Sequence, residues 1–595
     1  MPRLTLTSLL GLGALGTLAS TLALTIPNQA EACGGTFCDG GPNAMPVDQT
    51  GENILFVIDG EYVEAHIQIQ YDPNTPANKF AWVIPVTALP EFSVGSQLFF
   101  DNLLNGSVPF YGFQTTQEQC GEDPNGPPQD SGGSPGSTNA SSDGEGDSAG
   151  DPSGPDVLYS STVGAFDIVV LQDDNVASLM KWLGDNGYQQ DPKAEPIFDE
   201  YLKEGHLFVA FKLTNNAEIT EIHPVVLRYK GDESCVPIRL TRIAANEDMD
   251  IRAFFLAGAR TVPTNYRHVL INPLKLDWIN FAANYKEVIS LAVDAFGAEG
   301  NAFVTEYAGT SNVVQQFGIH EPTWNSAAFT AAAAVDAVDL LSSQGLIYCY
   351  NDFDSYCQYN HPLLAGLLAK YLPVPDGLSD VEFYSCLSCY ESKIDLTAWD
   401  PVLFSKDLEE RLIAPGKHAL DLLNTWPYLT RMYTTISPAE MLEDPIFRQN
   451  PNLPEVPSLR NANALLRCDG HGTWTLPDVR EVFVPNNGPW PDFDVELPYE
   501  EEVQQTSIKG APMTIVNNTA AINKALDDWN HKMDPVEGQL PPGADASATD
   551  TDTSGSSGGL GGEGQGCNCD VNTGTGGVLA SLGLLGLLGL RRRRR

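Results

Sequence analysis

Two long stretches of this chain have nothing from which to build a core, and they fix where folded structure can lie. Residues 121–156 (GEDPNGPPQDSGGSPGSTNASSDGEGDSAGDPSGPD) hold eight acids, no base and almost no large apolar side chain. No burial can offset the entropy of ordering such a segment, so it is expected to be a disordered acidic insertion in a surface loop. Residues 535–566 are similarly poor and end in a Ser/Gly-rich run; they are expected to form a flexible stalk. A packed body is thereby confined to the rest of residues 33–534. With 42% hydrophobic and 9% aromatic residues the chain can fill it, and at least two domain-sized units are expected. The net charge of −44 argues against a nucleic-acid partner. A polyphosphate would be repelled over most of the surface, and no basic stripe precedes the last five residues.

Both ends read as targeting signals. Arg3, an apolar stretch from Leu4 to about Leu24, and then Ala30-Glu31-Ala32 have the pattern of a secretory signal peptide over residues 1–32. Signal peptidase would cut after Ala32 and leave Cys33 first. A lipidated Cys33 is the competing reading, but a lipobox wants a large apolar residue where Ala30 stands. A retained membrane helix is a further rival. At the other end Gly566-Cys567-Asn568-Cys569-Asp570 is followed by an apolar run from Gly576 to Leu590 and by Arg591 to Arg595. As a helix those 15 residues rise roughly 22 Å, short of a hydrocarbon core of roughly 30 Å. The order of cysteine motif, apolar run and arginine cluster resembles the MYXO-CTERM sorting signal. That resemblance implies a C-terminal sorting protease acting near Cys567 or Cys569, contact with the membrane through residues 567–595, and an exported protein at the cell envelope or surface, anchored or released. A plain C-terminal anchor with its arginines inside would also face the body outward. The two ends carry six arginines and two acids, so what remains is more acidic than the whole.

Between the ends, strand signals come first. Val63, Ala65, Ile67, Ile69 and Tyr71 alternate with Glu64, His66, Gln68 and Gln70, giving period two and one polar face. Residues 79–86, 163–171, 206–213, 224–230 and 251–257 are further runs rich in Val, Ile and Phe. Val176, Leu179, Met180 and Leu183 have helical spacing, ending at Gly187. The fold class expected is α+β: a mostly antiparallel sheet with packed helices over residues 33–272, and a helix-rich, loop-rich unit over 273–534 packed on it. The helical stripes of the latter are Tyr285, Val288, Ile289, Ala292 and Phe296, then 327–341 and 363–372. Ser437-Pro438-Ala439-Glu440 has the capping-box pattern. After Asp444 prolines become dense and an extended segment wrapping the body is expected.

The body resembles a known family. The ordered phrases ACGGTFC from Ala32, PVDQTGENILF from Pro46, VEAHIQIQY from Val63, FAWVIPV from Phe80, FVAFKL from Phe208, FVTEYAG from Phe303 and YLTRMYTTISPAEMLEDPIF from Tyr428 are similar to the bacterial domain of unknown function 2330, over residues 33 to about 457. The resemblance implies no assigned activity, so no catalytic residue carries over. The acidic insertion departs from the family pattern.

Motifs for chemistry mostly dissolve. Gly11-Leu12-Gly13-Ala14-Leu15-Gly16 matches a dinucleotide fingerprint but lies in the signal peptide. G-x-S-x-G occurs around Ser134, Ser148 and Ser557, in low-complexity segments that offer no strand-to-helix turn. Nine cysteines remain outside the C-terminal motif: Cys33, Cys38, Cys120, Cys235, Cys349, Cys357, Cys386, Cys389 and Cys468. Export favours disulfides, with Cys33–Cys38 and Cys349–Cys357 as local pairs. A four-thiolate zinc site from Cys349, Cys357, Cys386 and Cys389 is the sharper and less favoured reading. A redox role for Cys386 and Cys389 needs a helix N-terminus to stabilise the thiolate. Among the acids, Asp352 with Asp354, Glu247 with Asp248 and Asp250, and the run Asp492, Asp494, Glu496, Glu500, Glu501 and Glu502 are candidate Ca²⁺ ligands or a glycosidase pair. Solvated surface carboxylates are the default in so acidic a chain. His471, flanked by glycines, is the most open histidine.

No cofactor is expected, with Ca²⁺ as the alternative. These observations point to an exported surface protein with a binding or envelope-structural role. The alternatives are a secreted hydrolase using a carboxylate pair on an extracellular polymer, and a calcium-stabilised adhesion module.

Overall fold

Alternation along the strand Tyr62–Tyr71 sends Val63, Ala65 and Ile67 to one side of a sheet, where all three are buried. This strand is one of ten in a central sheet. Their order across it is Met513–Asn517, Glu500–Gln505, Arg267–Ile271, Ala302–Thr310, Tyr428–Ile436, Met249–Ala257, Gln49–Asp59, Tyr62–Tyr71, Val225–Lys230 and Glu91–Val94. Most neighbours are antiparallel, whereas Gln49–Asp59 runs parallel to Met249–Ala257 and Arg267–Ile271 to Ala302–Thr310. The computed structural model describes residues 49–71, 81–118, 155–188, 192–214, 221–231, 234–243, 245–350, 356–468, 471–485 and 488–533. By its contacts the chain divides into Met1–Glu537 and Gly538–Arg595, and every described residue lies in the first unit.

The apolar side of the central sheet packs on a second sheet ordered Ala81–Val86, Leu207–Leu213, Phe166–Gln172 and Asp156–Val163. Ile54, Phe56 and Phe255 from one sheet and Ile84, Ile168 and Phe211 from the other share this core. The outer face of the second sheet lies under helices Val176–Asp185 and Glu195–Lys203, held by Leu179, Leu183, Ile197 and Phe198. On the far side of the central sheet Leu55, Val57 and Phe254 pack under helices Gln97–Ser107 and Ala414–Thr425. The layers therefore run helix, sheet, sheet, helix, an α+β arrangement. Helix starts follow ordinary capping: the Ser96 side chain accepts the Phe99 N–H, and the Asn175 side chain the Ser178 N–H.

Several expectations change. The division at residue 272 runs through the central sheet, because strands on either side of it pair directly: Met249–Ala257 with Tyr428–Ile436, and Arg267–Ile271 with Glu500–Gln505. Helices of the second half concentrate between residues 326 and 425, where Phe329, Leu341, Leu364 and Phe404 form their own core. The alanine-rich run breaks into 3₁₀ turns Ser326–Phe329 and Ala334–Asp336 before helix Ala337–Ser343. Alanine supplies helix propensity but little apolar surface to hold a long helix on a core. Helix Tyr285–Val293 stops short of Phe296, which is 80% exposed. At Ser437 the box closes a turn instead of a helix: the Ser437 N–H donates to Glu440 Oε2 (2.8 Å), and Ser437 Oγ accepts from the Asp248 N–H (3.1 Å).

Beyond Asp444 the chain returns to strands. Glu481–Pro485, His471–Thr475, Leu459–Leu466 and Phe110–Gln117 form a four-stranded sheet under helix Thr519–Met533. Prolines fall between these strands or at their ends, so their density marks connections. In Leu459–Leu466 and His471–Thr475 the buried positions Ala462, Ala464 and Trp474 stand among Asn and Thr neighbours, a weak apolar alternation, whereas Val482 and Val484 alternate plainly in the short Glu481–Pro485. The acidic insertion joins Phe110–Gln117 of this sheet to Asp156–Val163 of another. Residues 119–154 lie outside the described residues, as do the signal peptide, the stalk and the C-terminal motif. No helix among the described residues is long and apolar enough to cross a membrane.

Candidate functional site

Glu64 and His66 of Tyr62–Tyr71 point away from the sandwich core and under the helix layer. Glu64 pairs in register with Val57 and Arg228, and His66 with Leu55 and Val226. Glu64 and His66 are 7% and 2% exposed, so the polar face read from the sequence is covered rather than solvated. The cover is helix Ala414–Thr425, anchored by Ala419, Leu422 and Leu423. A π turn over Glu409–Ile413 leads into it. Pro415 provides no N–H for the carbonyl one turn back, which fits that widening. Gly416 lets the helix lie close, since a Cβ there would strike the carbonyl of Ile319.

This approach places His418 on the sheet. Its Nε2 lies 2.5 Å from Glu64 Oε1, and His66 Nε2 lies 2.7 Å from the same oxygen. The two imidazoles stack with centroids 5.9 Å apart and planes 11° from parallel, while the Phe99 ring stands edge-on to His66. Arg228 Nε is 3.8 Å from Glu64 Oε2, and Arg228 also reaches Asp59 at 3.6 Å. Burial alone would raise the Glu64 carboxyl, but hydrogen bonds from His418 and His66 and their charges hold it well below the usual range. Burial likewise opposes a charged His418, yet the hydrogen bond and charge of Glu64, with help from Asp421, raise its pKa. His66 Nδ1 is buried with no hydrogen-bond partner. The three ligand atoms of Glu64, His66 and His418 lie within 4.8 Å of one another.

A second feature is the hairpin Ile347–Tyr350 and Tyr356–Tyr359. Cys349 faces Cys357 across it in a disulfide with Cα atoms 4.0 Å apart. On the opposite face Tyr348, Tyr350 and Tyr356 are 38%, 46% and 50% exposed, and the last two rings are 5.3 Å apart.

A recess of about 320 Å³ is lined by Tyr201, Glu204, His206, Cys235, Arg239 and Asp444 among others. Arg239 Nε donates to Asp444 Oδ2 (3.1 Å), and its Nη1 and Nη2 donate to the two oxygens of Glu204 (2.8 and 2.6 Å). The Tyr201 hydroxyl donates to Asp444 Oδ2 at 2.7 Å. Burial pushes the Asp444 carboxyl up, whereas the Arg239 hydrogen bonds hold Glu204 down.

Of the acids singled out from sequence, Asp492, Asp494 and Glu496 line one hollow, whereas Asp250, Glu500 and Glu501 are each tied to other partners. Asp352 and Asp354 lie outside the described residues. Asp492 and Asp494 line a hollow of about 440 Å³ with Lys275 and Trp490, and Asp494 is paired with Lys532 at 2.9 Å. Asp250 is held by Tyr433 (2.6 Å) and Lys286 (2.9 Å), Glu500 by Asn518 and Glu501 by Arg480. Cys386 and Cys389 form a second disulfide, so the four-thiolate zinc reading fails: its sulfurs are bonded in pairs. Cys386 precedes only a short, kinked 3₁₀ segment, Leu387–Lys393. Cys468 is disulfide-bonded, and Cys235 lies on strand Ser234–Cys235. Cys33, Cys38, Cys120, Cys567 and Cys569 fall outside the described residues. His471 begins strand His471–Thr475. His418 had no signal of its own, and Glu64-x-His66 on a strand was the only local clue.

Fold and site thus define an α+β double-sheet protein with a buried carboxylate–imidazole cluster. Residues 27–318 match the model described as "Uncharacterized protein conserved in bacteria (DUF2330)", a similarity that spans just under half of the chain. The match ends before the phrase from Tyr428, although that strand pairs with Met249–Ala257. No curated protein matches the chain. Among solved structures, a mutated baculovirus P35 after caspase cleavage is similar over 36% of this chain and 69% of that one, at 10% identity and a TM-score of 0.20, too low to carry an argument.

Proposed function

We propose that this chain is an exported envelope protein whose body binds an extracellular partner through the tyrosine face of strands Ile347–Tyr350 and Tyr356–Tyr359, rather than an enzyme. The observation that carries this reading is the set of three exposed tyrosines on one side of a disulfide-braced hairpin. Tyrosine offers a large, rigid, amphipathic contact surface at low entropic cost, and disulfides persist in oxidising compartments. Cell-envelope glycan, whose sugar faces stack on aromatic rings, is the first ligand class to test. The hydrolase reading has less support. The two carboxylates that line the 320 Å³ recess, Asp444 and Glu204, both accept hydrogen bonds from the shared Arg239 guanidinium.

Changing Tyr348, Tyr350 and Tyr356 together to Ser is expected to weaken binding of solubilised envelope glycan at least about tenfold in a titration. The melting temperature should fall only slightly, by the loss of the half-exposed Tyr350–Tyr356 cross-strand pair. Equal binding by the variant would refute the hairpin's role. Export has a separate check: protease added to intact cells is expected to degrade the body, and a protected body would refute surface display.

A further inference from the structure

We propose that Glu64, His66 and His418 bind a divalent transition-metal ion, with zinc the best-suited occupant. Two imidazole nitrogens and one carboxylate oxygen converge, with both Nε2 atoms on the same Glu64 oxygen at 2.7 and 2.5 Å. An outward movement of the rings that opens the present 2.5 and 2.7 Å contacts makes room for a cation between the two Nε2 atoms and Glu64 Oε1, where Zn–N and Zn–O bonds of about 2.0–2.2 Å are required. Imidazole nitrogen selects zinc, cobalt, nickel or iron(II) over Ca²⁺ and Mg²⁺, which take oxygen ligands.

The surroundings favour a built site over a chance contact. Glu64 and His66 stand two residues apart on a central strand, backed by Leu55, Val57 and Phe99, so their positions are fixed before any ion arrives. His66 Nδ1 is buried without a partner. Nε2 is the nitrogen that faces Glu64 and would take the ion, so Nδ1 stays unpartnered with or without it. His418 is the movable ligand, on a helix rim with its side chain 43% exposed. That rim gives an ion and a water ligand their access, because three protein ligands leave a coordination position open. Arg228, 3.8 Å from Glu64 Oε2, opposes a cation, and its charge is shared with Asp59. Asp421 lies one turn further along the helix and adds negative charge.

The test uses the purified full chain after treatment with a chelator. Titration with Co²⁺, read by visible absorption, is expected to saturate at one ion per chain and to be reversed by Zn²⁺ but not by Ca²⁺. His418→Ala should weaken binding at least about tenfold and lower the melting temperature of the ion-free protein, since the hydrogen bond to Glu64 is lost as well. Should the alanine variant fold poorly, His418→Gln keeps the bulk and is expected to show the same loss. Absence of a cobalt spectrum, displacement by Ca²⁺, or wild-type affinity in a folded His418 variant would overturn the assignment.

Discussion

Replacing Arg431 by Met is expected to destabilise the body by about 3–5 kcal/mol, the range for breaking a buried ion pair from one side. Arg431 and Glu306 are 4% and 2% exposed, and the Arg431 Nε donates to Glu306 Oε2 at 2.5 Å. The same guanidinium donates from Nη1 to the carbonyl of Leu104 (3.0 Å), at the end of helix Gln97–Ser107. A register shift between Thr305 and Tyr307 against Tyr428–Ile436 turns Glu306 towards Arg431, as bulges do. The Tyr285 hydroxyl donates to the other carboxylate oxygen at 2.9 Å. Without Arg431 the buried Glu306 carboxylate keeps the Tyr285 hydroxyl but loses its countercharge, while the Leu104 carbonyl keeps the Val108 N–H. Denaturant unfolding of the variant measures the loss. The double change Arg431→Met with Glu306→Gln should recover a substantial part of it, because the charge no longer needs a partner. A single variant within about 1 kcal/mol of wild type would show that water reaches the pair.

Glu52→Gln is expected to have the opposite sign and to depend on pH. Glu52 shares the inner face of the sandwich with Ile54 and Phe56, is 5% exposed, and its Oε2 has no partner. Burial pushes its carboxyl from 4.5 up to about 7. Below pH 4.5 the group is protonated both folded and unfolded and contributes nothing to the pH dependence. Between 4.5 and 7 the folded state holds a proton that the unfolded state releases, so stability falls as pH rises through that window. Above 7 the loss levels off at about 3 kcal/mol. Glutamine needs no proton to stay neutral. Comparing wild type with Glu52→Gln at pH 5 and pH 8 by denaturant unfolding should therefore show a variant advantage that grows by about that amount. A difference independent of pH would mean that Glu52 is ionised and satisfied in the folded protein.

Much of the fold was legible where one face of an element is apolar. The alternation of Val63, Ala65 and Ile67, the runs that became Ala81–Val86, Leu207–Leu213 and Val225–Lys230, and the i, i+3, i+7 spacing of Val176, Leu179 and Leu183 all marked real elements. Reading failed where local preference and tertiary packing disagree. Alanines between 327 and 341 have propensity without enough surface to anchor a helix, and Ser437 and Glu440 make the contacts of a cap around a turn with no helix behind it. Strands Leu459–Leu466 and His471–Thr475 were hidden because their buried residues are small or interrupted by Asn and Thr.

The candidate site divides in the same way. Glu64 and His66 stood out in the sequence as one polar face, since alternation is a property of neighbouring residues. Whether that face meets solvent or a helix is decided by residues 354 positions away, where Gly416 lets the helix lie against the Ile319 carbonyl and His418 closes on Glu64. By itself the sequence determined the strand periodicity, the segments too polar to pack and the targeting patterns expected at both ends, because each rests on local composition. Only the tertiary structure decided that one sheet spans both halves of the body, that four cysteines pair as two disulfides, and that two histidines share one carboxylate. Those outcomes depend on long-range contacts, which no local pattern encodes.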